Sequence, residues 1–84
     1  MELNLSNDEL EEYLESGGLI KKDCWLAPMH LKYNPITDSF ELLSSVHTYN
    51  GYRGLAPIER FYSVKDILYA GKWLKCNDKG EEIE

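Results

Sequence analysis

The chain has no run of about eighteen apolar residues, so nothing in it reads as a bilayer-spanning helix. Residues 1–20 hold no lysine or arginine and no apolar stretch, which predicts the absence of a secretory leader. Cysteine is scarce: Cys24 and Cys76 stand far apart in no paired motif. A disulfide framework is therefore not expected, and both residues read as free thiols in a reducing cytoplasm. Structural zinc sites take ligands in close pairs, and His30, His47, Cys24 and Cys76 supply no such pair. There is no phosphate loop, no dinucleotide glycine pattern and no zinc-hydrolase motif. Nothing around the serines or cysteines marks a nucleophile with its base and orienting group. The chain is accordingly read as a binding protein rather than an enzyme, without metal or cofactor. An isoelectric point near 4.8 also disfavours nucleic acid, whose phosphates demand clustered basic side chains.

What is present points to a small folded unit. Hydrophobic residues make up 43% and aromatic residues 12% of the 84, which excludes general disorder. A domain of this size buries only about 60% of its unfolded surface, and oligomerisation is a common remedy. The net charge of −6 is unevenly spread. Of fifteen acidic residues, six lie in 1–20 and four in 77–84; the stretch 21–76 keeps five, against eight lysines and arginines. The middle of the chain is thus mildly basic and would not repel an anionic ligand.

Local patterns give an order of elements. Ser6 and Glu9 form a capping box flanked by the Leu5/Leu10 staple, and Leu10, Tyr13 and Leu14 make an apolar stripe that stops at Gly17-Gly18. Leu19 to Leu26 reads as a short strand. Met29, Leu31 and Tyr33 alternate with His30 and Lys32 as a half-buried strand, and Phe40, Leu42, Ser44, Val46 and Thr48 share one face of a longer one. Asn50-Gly51 signals a hairpin, or the start of a tyrosine-rich loop over 49–62, since Gly54 and Pro57 follow. Ser63, Asp66 and the Tyr62/Ile67 pair repeat the capping pattern and predict a short helix from Val64 to Ala70, ended by Gly71. Trp73 to Cys76 is a final strand. The expected fold is α+β: an N-terminal helix, an antiparallel meander-like or small barrel-like sheet, and a short second helix before the last strand. It fills residues 1–76, with 77–84 as an acidic, mobile tail.

Two blocks, Glu9 to Trp25 and Ser63 to Trp73, carry a resemblance. The first runs from the amphipathic helix through Gly17-Gly18 and Lys21-Lys22 to Trp25. The second is Ser63-Val64-Lys65-Asp66-Ile67-Leu68-Tyr69-Ala70-Gly71-Lys72-Trp73. Together they resemble the Thoeris anti-defence 2-like proteins, small proteins of phages and prophages. The chain departs from that pattern in having Lys21-Lys22 where the family usually has arginine, and Gly71-Lys72 where it often has acidic residues. The resemblance implies a homo-oligomeric sponge of the host bacterial cytoplasm. Such a protein binds a cyclic ADP-ribose-type or other cyclic nucleotide signal without cleaving it. By the same resemblance Trp25 would stack on a base, Asp66 would accept hydrogen bonds from ribose or base, Ser63 would shape the turn, and Trp73 would be core or pocket wall. Lys22 or Arg53 is the expected phosphate partner. The alternative is a small acidic inhibitor that binds a host defence protein or other host enzyme through the Glu9/Glu12/Glu15 face or the 49–62 loop.

Overall fold

The structure, a computed structural model, describes residues 3–25, 28–48 and 51–83. One helix, α1 (Asn7–Glu15), precedes five strands: β1 (Ile20–Lys22), β2 (Met29–Asn34), β3 (Ser39–Thr48), β4 (Gly51–Phe61) and β5 (Trp73–Lys75). They form one antiparallel sheet in the order β4-β3-β2-β1-β5. The first four strands follow one another as a meander; the chain then crosses back over the sheet end so that β5 pairs with β1.

The helix begins where its sequence requires. The Ser6 side chain accepts from Glu9 N at 3.2 Å, and Ser6 N donates to the Glu9 carboxylate at 3.1 Å, the reciprocal capping box. Leu10 and Leu14 are the buried stripe. Opposite them Ile20, Leu31 and Leu42, each 0% exposed, stand in one cross-strand row, because Ile20 pairs with Leu31 and Leu31 with Leu42. Phe40, Trp25, Val64 and Ile67 complete this core, with Tyr13, Met29, Tyr33, Phe61 and Trp73 packed against it. Gly18 lets the chain turn under the helix, since a Cβ there would run into the Tyr13 ring.

The other face of the sheet is covered too. His30, Leu43, Glu41 and Cys76 are buried there. Residues 77–83 fold back rather than continue outward: Ile83 N donates to Lys75 O, Asn77 N to Glu81 O, and the Lys21 ammonium reaches Gly80 O at 3.2 Å. His30 Nδ1 has no hydrogen-bond partner among the described residues. Burial, helped by the Lys32 charge, holds the imidazole below its ordinary pKa, with Asp78 opposing.

Three expectations need correction. The sheet is open, not barrel-like: β4 lies at one edge and β5 at the other, where Leu3 N and Ile83 N donate to Trp73 O and Lys75 O. The segment after Asn50 is not a loop but the eleven-residue β4, which tolerates Pro57 because it is an edge strand. Leu42 pairs with Glu59 and Leu43 with Pro57, so Ile58 is the extra residue of a bulge, and a second irregularity lies between Ser45 and His47. The Asn50 half of the hairpin signal lies outside the described residues; Thr48 pairs with Gly51 on either side of it. Finally, the helix expected over Val64 to Ala70 is only a 3₁₀ turn, Val64–Asp66. Its first groups are taken by Glu11, whose carboxylate accepts from Ser63 Oγ and Val64 N, both at 2.9 Å. Such contacts suit a helix start, whose first N–H groups have no partner within the helix. The turn is stopped at its other end, where Ile67 is extended and buried in the core and residues 70–72 are tied to residues 22–24.

Two outcomes follow. Leu31→Ala will lower unfolding free energy by about 2–5 kcal/mol in urea denaturation, as for other fully buried leucines. The folded-state pKa of His30 lies below the unfolded value of 6.5, so the unfolded chain binds the proton more readily. Its contribution to stability is present above pH 6.5 and falls as pH drops below it. His30→Gln will flatten the decline in urea midpoint between pH 7 and 5; an unchanged slope would refute the assignment.

Candidate functional site

At the end of the sheet where β4 gives way to the 3₁₀ turn, the surface forms a shallow cleft of about 260 Å³. Glu59 and Phe61 at the end of β4 line one side, and Asp66, Leu68 and Tyr69 the other. Local pairing sets each of them. Glu59 lies across from Leu42, at the end of the Ile20–Leu31–Leu42 row, and Phe61 lies across from Phe40. Asp66 sits where the turn closes, its N–H donating to Ser63 O at 3.1 Å. Ser63 is held between Glu11 Oε2 and Lys65 N, at 2.9 and 3.4 Å.

Between Ile67, which is buried in the core, and Trp73 the chain forms an extended strap. Its middle faces outward: Leu68 is 90% and Tyr69 41% exposed. The Tyr69 ring meets Trp25 edge to face at 5.5 Å between centroids, and Trp25 meets Trp73 in the same manner at 6.0 Å. Such T-shaped pairs fix the rings by matching the positive edge of one to the negative face of the other. The Lys22 ammonium lies 3.9 Å from the centroid of a Trp73 ring and donates to Gly71 O at 3.0 Å. Burial lowers the Lys22 pKa, while Cys24 and Asp23 pull it back up.

The sequence-derived candidates thus fall into two groups. Ser63 and Asp66 form the turn, and Asp66 reaches the cleft. Trp25, Trp73 and Lys22 form a second cluster beneath the strap, with Trp25 8% exposed and Lys22 also buried. Tyr69 joins the two groups, since it packs on Trp25 and lines the cleft. Arg53 lies on β4, and its side chain is outside the described ones. Sequence reasoning missed Glu59, Phe61, Leu68 and Tyr69. Phe61 and Tyr69 bracket the Ser63-to-Asp66 motif and were findable as aromatics near a turn. Glu59 had no signal, because its place depends on the Ile58 bulge.

Two aromatic rings and a leucine offer apolar faces, and two carboxylates accept hydrogen bonds. Among the described residues, no group of three or more histidine, cysteine or acidic side chains could hold a metal ion. Likewise among them, no helix is long and apolar enough to cross a membrane. Comparison with protein-family models, with curated proteins and with solved structures found no match.

The two thiols differ in reach. Cys24 is exposed, with its Sγ 3.0 Å from Ala70 O, whereas burial pushes the Cys76 thiol up to about 11. Under native conditions at pH 8 a maleimide will label Cys24 first, and Cys76 only after unfolding; equal rates on the folded protein would contradict this packing.

Proposed function

We propose that this chain is a non-catalytic sequestering protein that holds a cyclic ADP-ribose-type nucleotide signal at the Phe61–Asp66–Tyr69 cleft and so lowers its free concentration. The observation that carries the reading is Asp66: the last residue of the Ser63-Val64-Lys65-Asp66 motif faces a cleft walled by two aromatic rings. Aromatic faces stack on bases, and a carboxylate accepts from ribose hydroxyls or an exocyclic amine. The resemblance of residues 9–25 and 63–73 to the Thoeris anti-defence 2-like proteins points the same way. Sequestration needs tight binding and excess protein rather than chemistry, which suits a cleft of hydrogen-bond acceptors and apolar walls.

The cleft's size adds a condition. At about 260 Å³ it falls below the range of roughly 300–1,000 Å³ typical of pockets that enclose a small molecule. In this reading a second copy of the chain closes over the ligand, and the active form is a homo-oligomer. A direct protein-binding inhibitor is the second reading, favoured by the exposed apolar side chains of Ile58, Tyr62 and Leu68.

Calorimetric titration with cyclic ADP-ribose isomers, with the recovered ligand checked for cleavage, separates the two. Submicromolar binding of intact ligand is expected. Asp66→Asn should weaken it about tenfold, the loss of one hydrogen bond to a charged acceptor. Tyr69→Ala should cost about 1–3 kcal/mol of binding, as stacked aromatics do. No heat with any isomer would reject the nucleotide reading in favour of a protein target.

A further inference from the structure

Residues 22–24 and 70–72 meet as two short runs, side by side, at the point where the strap enters β5. Lys22 Nζ donates to Gly71 O at 3.0 Å, and Cys24 Sγ to Ala70 O at 3.0 Å. Asp23 binds Lys72 twice: its N–H donates to Lys72 O at 2.9 Å, and its carboxylate accepts from Lys72 N at 3.1 Å. Four hydrogen bonds thus join three consecutive residues to three consecutive residues. Gly71 adopts a φ of +104°, and a Cβ there would run into the Asp23 carboxylate and crowd Cys24 Sγ at 3.2 Å. Only glycine fits both the conformation and the space.

The geometry points to a clasp that sets the wall of the ligand cleft, with Lys22 and Cys24 as positioning residues rather than ligand contacts. The strap is pinned at one end by Ile67 in the core and at the other by this clasp. Tyr69 and Leu68 lie between the pins, and the Trp25 edge contact steers the Tyr69 ring. Lys22 is committed already, to Gly71 O on one side and the Trp73 ring on the other. Among the described residues the cleft lining carries Glu59 and Asp66 and no lysine or arginine. A phosphate inside it would face two carboxylates, so the inserted part of the ligand is the ring with its hydroxyl or amine donors, and the phosphates lie outside. This assignment rests on the nucleotide reading for the ligand, but the clasp itself does not.

The experiment has a ligand-free arm and a ligand arm. In the first, hydrogen exchange at the amides of residues 68–72 is compared between the native protein and Lys22→Met. About tenfold faster exchange in the variant, with α1 unchanged, is expected; unchanged exchange at 68–72 overturns the clasp. In the second, both proteins are titrated with cyclic ADP-ribose and with adenosine, which has no phosphate, at low and high salt. A positioning role predicts the same factor of weakening for both probes at either salt. Weakening confined to the phosphate-bearing probe, and lost at high salt, overturns it and makes Lys22 a phosphate contact. If neither probe binds the native protein, the nucleotide reading fails while the exchange arm still judges the clasp. Should Lys22→Met not fold, Cys24→Ala and Cys24→Ser take its place. Serine keeps a donor toward Ala70 O and should restore slow exchange that alanine loses; equal exchange in the two would count against the clasp.

Discussion

Everything in this fold depends on one row of side chains. Ile20, Leu31 and Leu42 stand shoulder to shoulder across β1, β2 and β3, and Leu10 and Leu14 of α1 lie in the same core. β1 is three residues long and pairs with β2 at a single register point, Ile20 with Leu31, and with β5 at three, so burial of Ile20 and the β5 ladder together fix its place. A slip of one residue would put Lys21 where Ile20 is and expose the row. A domain this small has few other sources of stability, which makes that register its main constraint.

The cleft is a consequence of the same row. Extending it past Leu42 reaches Glu59, and the neighbouring row passes from Phe40 to Phe61. Both residues therefore end up at the rim because the core is in register. The opposite wall is built differently, by a turn tied to Glu11 of the helix and a strap tied to residues 22–24. One wall is rigid sheet and the other is tethered chain. That division suits a binding surface: the sheet side fixes position, and the strap side adapts within the limits its tethers allow. Carboxylates on both walls make the cleft a set of acceptors, suited to ligands rich in hydroxyl and amine donors.

Much of the fold was legible in the sequence, for identifiable reasons. The helix announced itself through Ser6, Glu9, Leu10 and Leu14, all local signals. β2 and β3 showed period-2 alternation because one face packs on the helix. β4 did not, because the Ile58 bulge and Pro57 interrupt the alternation, and only pairing with β3 makes it a strand. The Ser63-to-Asp66 pattern reads as a helix cap, and Ser63 does cap, but the turn goes no further because Ile67 is buried in the core and residues 70–72 are tied to residues 22–24. Those contacts join residues some fifty positions apart, beyond any local pattern. The site was half legible for the same reason: Asp66 belongs to a motif, whereas Glu59 and Tyr69 reach the cleft through long-range packing.

The most direct test of the account is amide chemical-shift mapping of the isotopically labelled protein with a cyclic ADP-ribose isomer added. Shifts concentrated at Glu59, Phe61 and Asp66 to Tyr69, with the exposed face of α1 silent, are the predicted result. Shifts centred on the acidic face of α1, or none at saturating ligand, would contradict it.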